Sequence, residues 1–235
     1  MSWQRPELEC DDRVREIGRV TSSPRHDHQD SRTYADTPAG WDERYAEVDR
    51  VWSGHPNGAL VTEVAGLAPG RALDVGCGEG ADAVWLASRG WHVTALDVSQ
   101  VALERAELHA RQAGVQVRWL HAGLLEAAVS PGAFDLVSAQ YPVLLRSPAN
   151  EAERTLLAAV APGGTLLVVH HADMDPEHAR ERGFDPADYV QPAQVAALLD
   201  DDWQLEVDET RPRTVETGAG AGHSLDQVLR ARRVR

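Results

Sequence analysis

From Arg71 onward, short apolar runs alternate with stretches of helical periodicity. RALDV at 71–75 has the pattern of a buried strand, and after the turn GCGEG the run ADAVWLASR is helical. HVTALD at 92–97 is a second strand, and Ser99 is placed to cap a helix running to about Gly114. VQVRWL at 115–120 and FDLVSAQ at 134–140 follow as strands. Asn150 and Glu153 have the spacing of a capping box, opening a helix that stops at Pro162-Gly163-Gly164. TLLVVHH at 165–171 is the next strand, then come a polar segment at 172–190 and a helix from Pro192 to about Leu199. WQLEVDETRPR and HSLDQVLRARR close the pattern as two strands around a glycine-rich turn. Upstream, 38–52 is expected to be helical, with Trp41, Tyr45, Val48 and Trp52 sharing one face.

Strands alternating with helices imply a parallel sheet covered on both faces, a doubly wound α/β domain. The last two strands have no helix between them, so an antiparallel hairpin is expected at one edge. Residues 37–235 form one domain on this reading. Residues 1–36 are too polar to offset their ordering entropy and are expected to be a flexible extension, in which His26 and His28 are solvated.

Composition removes several chemistries. The 235 residues include 23 arginines and no lysine, which excludes Schiff-base catalysis and a P-loop lysine. A formal charge of −14 argues against nucleic-acid binding. Two cysteines, Cys10 and Cys77, make neither a disulfide framework nor a cysteine zinc site. No apolar run approaches the ~20 residues that span a bilayer, and the N-terminus lacks a signal-peptide core, so a cytoplasmic location without membrane attachment is expected.

The chemical centre is LDVGCGEGADA at 73–83. Gly76, Gly78 and Gly80 allow a sharp strand-to-helix turn and close approach of a ligand. The string also satisfies the dinucleotide pattern G-x-G-x-x-G/A, which keeps a nicotinamide-dependent oxidoreductase as an alternative. Asp74, however, stands at the strand end, where a carboxylate repels pyrophosphate and favours a cation. Asp97 ends the following strand, at the place that hydrogen-bonds ribose hydroxyls. A ligand with a ribose, a positive charge and no phosphate is S-adenosylmethionine. Cys77 is read as a small packed thiol.

With these residues the sequence resembles the class I S-adenosylmethionine-dependent methyltransferases, LDVGCGEG looking like their first motif and the resemblance spanning 38–235. It implies a Rossmann-like seven-stranded sheet of order 3-2-1-4-5-7-6 with strand 7 antiparallel. It also implies that Asp74, Gly76 and Gly78 surround the methionine end and that Asp97 holds the ribose. WDERYAEVDRVWSGHPN is similar to the entry segment of small-molecule methyltransferases of the tellurite-resistance and thiopurine types. By that similarity Trp41, Tyr45 and Trp52 line a lid and Asn57 sits near the methionine moiety; a plain amphipathic helix packing its aromatics inward is the other reading. In many relatives an Asp after strand 3 contacts the adenine amino group. Here the string is HAGLLE, leaving the backbone of Gly123 and Leu124, or another side chain, to read the base. That departure keeps a catalytically degenerate cofactor-binding protein as an alternative.

Methyl transfer needs in-line alignment of a nucleophile, and the substrate lies beyond the carboxyl ends of the strands. Gln140 and Tyr141 stand at one such end, Gln140 toward the cofactor, and His170 and His171 stand at the next. Tyr141, His170 and His171 are the candidate catalytic residues, a histidine there being able to accept a proton. His170, His171, Asp173, Asp175 and His178 are metal-ligand types in a solvated acidic loop, and no metal is expected. The segment 172–190 is expected to cover the substrate pocket. The acceptor is expected to be a small molecule offering a thiol, chalcogen, hydroxyl or nitrogen, and the protein a monomer or homodimer.

Overall fold

A computed structural model describes residues 37–235 apart from Arg182, Thr214 and Glu216. The expected extension at 1–36, with Cys10, His26 and His28, lies outside the described residues.

Seven strands form one sheet: β1 Arg71–Val75, β2 His92–Asp97, β3 Arg118–His121, β4 Phe134–Gln140, β5 Val160–His171, β6 Trp203–Pro212 and β7 Leu225–Arg233. Their order is β3-β2-β1-β4-β5-β7-β6. The first five strands pair in parallel, while β7 runs antiparallel to both β5 and β6. The order, the edge hairpin and the α/β class are those expected. Helices α1 Pro38–Ala46, α2 Gly58–Val64, α3 Ala81–Ser88, α4 Gln100–Ala113, α5 Glu151–Ala159, α6 Pro176–Glu181 and α7 Pro192–Ala196 complete the layers.

Strand pleat separates two cores. Leu73, Val75, Val137, Ala139, Leu166, Val168 and Leu229 join one cluster with α5. Ala72, Leu136, Leu167, Val169 and Val228 join the other, with Ala59 and Leu60 of α2 and Ala83 and Leu86 of α3. Successive side chains on a strand point to opposite faces. That is why RALDV and LLVV read as unbroken apolar runs: both of their faces are covered.

The structure departs from the sequence expectation at defined points. The first helix ends at Ala46, not at residue 52, and Val48 is 48% exposed. The amides of Val51 and Trp52 donate to the Glu79 carboxylate, a tertiary contact that overrides the local period. The short helix α2 was not anticipated; its signal is the buried set Ala59, Leu60, Glu63 and Val64. Asn150 and Glu153 form no capping box. Asn150 has φ 53° and no side-chain cap, the amide of Glu151 is met by Ser147 Oγ at 3.2 Å, and Glu153 is fully buried. Strand β5 begins at Val160 and carries Pro162-Gly163-Gly164 within it, at a register shift against β4. Helix α7 stops at Ala196. The polar segment 172–190 holds α6 and a 3-10 turn at Pro186–Asp188.

Leu167 is fully buried in the middle of β5. Leu167→Ala is expected to cost about 2–5 kcal/mol of unfolding free energy in a denaturant titration, with no change in far-UV circular dichroism.

Candidate functional site

The strand order reverses between β1 and β4, and ligands of open α/β sheets bind at such a switch point beyond the strand C-termini. The turn after β1 is built for close approach. The amides of Gly76 and Cys77 both donate to Leu96 O, at 2.9 and 3.0 Å, tying the turn to β2. Gly78 donates to Asp97 Oδ2 at 2.8 Å, and Ser99 donates to Asp97 Oδ1 at 2.9 Å. Asp97 is therefore fixed in one orientation. Burial pushes its carboxyl up, against the pull of these amides. A Cβ on Gly78 would stand 2.9 Å from Tyr45 Oη and 3.1 Å from Trp52 Nε1, whereas one on Gly76 would meet nothing within 4 Å. The aromatics thus lie on Gly78, and open volume lies at Gly76. Cys77 is partly buried against the second core, with a thiol that burial and then Asp74 push up and keep protonated.

Asp74 is 2% exposed, and its Oδ2 has no hydrogen-bond partner. Burial raises its carboxyl well above the ordinary range, with Asp82 and Asp97 adding to the effect. Asp82, in the first turn of α3, was not singled out from the sequence. It accepts from Asn57 N at 2.7 Å and Asn57 Nδ2 at 2.8 Å, and burial raises it too. Asn57 therefore reaches the site by holding Asp82.

The segment at 45–52 is clamped by a pair missed in the sequence, Glu79 and Arg105. Glu79 accepts from Trp52 N at 3.0 Å and Val51 N at 3.2 Å, and pairs with Arg105 Nη1 at 2.9 Å. Arg105 Nη2 donates to Tyr45 O at 2.6 Å and Val48 O at 2.7 Å. Trp52 Nε1 donates to Tyr45 Oη at 2.8 Å, and the Arg44 guanidinium stands 5.0 Å from the Trp41 ring and 5.4 Å from that of Trp52. Asp42 secures α1 to α4, accepting from Ser99 Oγ at 2.6 Å and Val101 N at 3.1 Å. Trp41, Tyr45 and Trp52 are thus brought together over the glycine turn. Glu79 was invisible to periodicity because its partners are the Val51 and Trp52 amides and Arg105, all more than 25 residues away in sequence.

On the other side of the switch point, Gln140 is buried, donates to Ser138 Oγ at 3.0 Å and leaves its Oε1 without a partner. Tyr141 adopts φ 51°. Its hydroxyl donates to Asp226 at 2.9 Å and accepts from Arg213 Nε at 2.9 Å, and burial first, then Asp226, push it up. Its ring stacks on His171 with centroids 4.3 Å apart, and His171 stacks on His223 at 3.8 Å. Asp173 holds His223 Nδ1 at 3.0 Å and Ser224 N at 2.6 Å. His170 Nδ1 accepts from His171 N, and the ring also hydrogen-bonds the Pro142 backbone. Burial and His223 push His170 down to about 4 and His171 to about 3.

The three residues expected as proton acceptors, Tyr141, His170 and His171, stand together in this wall. Tyr141 has its proton committed to Asp226, His170 is walled in and doubly engaged, and His171 is a weakly basic ring inside a stack. Gly123 and Leu124 lie apart from this wall, in the turn after β3, where Leu124 packs into the first core. The turn between β6 and β7 reaches the lid: Ala219 N donates to Val51 O at 3.0 Å.

A family model described as a methyltransferase domain matches residues 72–164. Over residues 72–164 the chain is therefore similar to a methyltransferase domain. Among curated proteins, an uncharacterized methyltransferase of Mycobacterium tuberculosis is 36% identical over 123 residues, 52% of this chain and 61% of that protein. A ubiquinone biosynthesis O-methyltransferase of Aromatoleum aromaticum is 45% identical over 75 residues, 32% of each chain. The chain thus spans less than two thirds of the length of these relatives. Among solved structures, one described for conversion of a disulfide bond into a thioacetal group during echinomycin biosynthesis matches with a TM-score of 0.67 and 25% identity, over 83% of this chain and 92% of that one. The family match covers the glycine turn, Asp97 and β4 but ends before His170. Among the described residues no helix is long and apolar enough to cross a membrane.

Two outcomes are expected. Glu79→Gln weakens charge-assisted bonds to two lid amides, each worth about 1.5–3 kcal/mol, so tryptic cleavage after Arg50 accelerates about tenfold or more. His170 and His171 stay neutral down to about 4 and 3, while the unfolded chain takes up those protons near 6.5. Stability is therefore fully present above 6.5 and falls as pH drops toward 4, and His170→Gln flattens that loss in urea titrations at stepped pH.

Proposed function

We propose that this chain transfers the methyl group of S-adenosylmethionine to a small-molecule acceptor. The observation that carries the reading is the buried, unpartnered Asp74 carboxylate oxygen next to the open volume at Gly76. A buried acid without a partner is costly unless a cation or donor arrives. The donor set fits the cofactor: Asp74 for its positive end, Gly76 and Gly78 for close approach, Asp97 for the ribose. When bound, S-adenosylmethionine supplies an already activated methyl group on a positively charged sulfur. A nicotinamide dinucleotide suits the site poorly, because its pyrophosphate would meet Asp74, Asp82 and Asp97.

The residues of the chain then act by holding and excluding. Tyr45 and Trp52 close over the glycine turn and keep water from it. Tyr141, fixed by Asp226 and Arg213, forms a rigid wall beside the switch point. Such positioning contributes up to about 7–11 kcal/mol in well-aligned reactions. Neither His170 nor His171 is basic enough at neutral pH to remove a proton from an ordinary alcohol. The acceptor is accordingly one that needs no strong protein base: a sulfur nucleophile, or a hydroxyl as acidic as a phenol. The echinomycin enzyme and the ubiquinone O-methyltransferases, by their descriptions, stand on these two sides of that choice.

Calorimetric titration tests the cofactor. S-adenosylhomocysteine is expected to bind the wild type and to bind Asp97→Ala at least tenfold more weakly, with NADH inert; no binding to the wild type would overturn the reading. For the acceptor, kcat/KM against pH is expected to track the acceptor's own ionisation, without an inflection between pH 5.5 and 7.5 from the enzyme. Loss of a hundredfold or more in His171→Gln, together with removal of such an inflection, would reinstate a histidine base.

A further inference from the structure

Three buried polar atoms without a hydrogen-bond partner among the described residues stand in one row: Asp74 Oδ2, Gln140 Oε1 and His171 Nδ1. Successive side chains on a strand alternate between faces, so Asp74, Ser138, Gln140 and His171 share the face of Ala72, Leu136, Leu167 and Val169, which packs against α2 and α3. Asp74 is level with Ser138 across the β1–β4 pair, and Gln140 is level with Val169 across the β4–β5 pair. From β1 to β4 to β5 the row therefore climbs two residues per strand, toward the C-terminal edge of the parallel strands. It continues to Asp226 on β7, level with His171 and bonded to Tyr141. Gln140 is 8% exposed, and its Nε2 donates to Ser138 Oγ at 3.0 Å. That bond commits the amide nitrogen and leaves the carbonyl oxygen as the group on offer.

We propose that Gln140 Oε1 binds the methyl acceptor, and that the acceptor therefore carries an O–H or N–H donor beside the atom that is methylated. The inference rests on the cofactor reading above and narrows the acceptor class which that reading leaves open. On that reading the cofactor runs from Asp74 toward β2, where Asp97 serves the ribose. Gln140 lies on the opposite side of Asp74, one strand spacing of ~4.8 Å across and two residues along. It thus stands between the cationic end and the wall of Tyr141, His171 and Asp226. A carbonyl oxygen only accepts hydrogen bonds, so a thiolate or phenolate does not satisfy it, whereas a donor next to the nucleophile does. Leaving a buried carbonyl unpaired is costly, and a site built to bond a substrate O–H or N–H rejects analogues that lack it. Nucleophile and donor are read together, the first by alignment with the methyl group and the second by Gln140.

The test gives the full chain S-adenosylmethionine and probes that differ only in this donor: 2-aminothiophenol against thiophenol, and 2-aminophenol against phenol. Wild type is expected to favour the amino member of the pair it methylates by about tenfold or more in kcat/KM. Gln140→Met keeps the reach of the side chain and removes its oxygen. It is expected to bring that ratio to near one, with S-adenosylhomocysteine binding and melting temperature unchanged. Ser138→Ala frees Nε2, lets the amide turn over, and is expected to lower the same ratio. A ratio that survives in Gln140→Met overturns the assignment, and so does a tenfold loss of S-adenosylhomocysteine binding, which would give Gln140 to the cofactor. A wild type that binds S-adenosylhomocysteine but methylates none of the four probes, or both members of a pair equally, overturns it as well. A wild type that binds no S-adenosylhomocysteine instead brings down the cofactor reading, and this inference with it.

Discussion

Negative charge that the fold does not neutralise is the constraint on which this molecule is built. Asp74, Asp82 and Asp97 are all buried around the glycine turn, and burial raises the carboxyl of each above its ordinary range. Asp97 is stabilised by two amides and Asp82 by Asn57, but one oxygen of Asp74 is left with nothing. Raised carboxyls contribute stability below their unfolded range and lose it as pH rises through the folded value. Holding these three acids together in the interior is thus a standing cost that grows as pH rises. Much of the surrounding architecture serves to keep that cost in place: the two hydrogen bonds from Gly76 N and Cys77 N to Leu96 O fix the turn, and Glu79 with Arg105 fixes the segment at 45–52 against it.

The fold was legible because its signals are local and repeated. RALDV, HVTALD and FDLVSAQ match β1, β2 and β4 residue for residue, since strands covered on both faces leave no polar alternation to blur their ends. Ser99 and Gly114 bound α4 as their chemistry dictates, the first accepting from Ala102 N and the second in the left-handed region. Failures came where a distant group took over a local choice. The aromatic period of 38–52 is real, but the amides of Val51 and Trp52 answer to Glu79. The Asn150–Glu153 pair has the right spacing and the wrong surroundings, because Glu153 is drawn into the core side of α5.

The site was legible to the extent that it is one contiguous string. Gly76, Gly78, Asp74 and Asp97 could be singled out as candidates because a turn and two strand ends define their places. The acceptor wall could not, since Tyr141, His171, Arg213, His223 and Asp226 come from three separated parts of the chain. Two adjacent histidines at a strand end looked like bases on residue type alone. Their burial and the neighbouring His223, which work against protonation, come from packing that residue type does not reveal. Residue type states what a side chain is able to do, and packing decides whether it does it.

The two halves of the site meet at Val51. Its amide donates to Glu79 on the cofactor side, while its carbonyl accepts from Ala219 in the β6–β7 turn that also carries Arg213's contact at Gly220. Gly218 lies so close to Trp52 and Ser53 that a Cβ there would meet backbone atoms at 2.6 and 2.8 Å. Opening the lid therefore breaks the Glu79 bonds and the Ala219 bond together, and disturbs the hairpin that fixes Tyr141 through Arg213 and Asp226. Val51 thus ties the segment packed over the glycine turn to the hairpin whose Arg213 and Asp226 hold Tyr141.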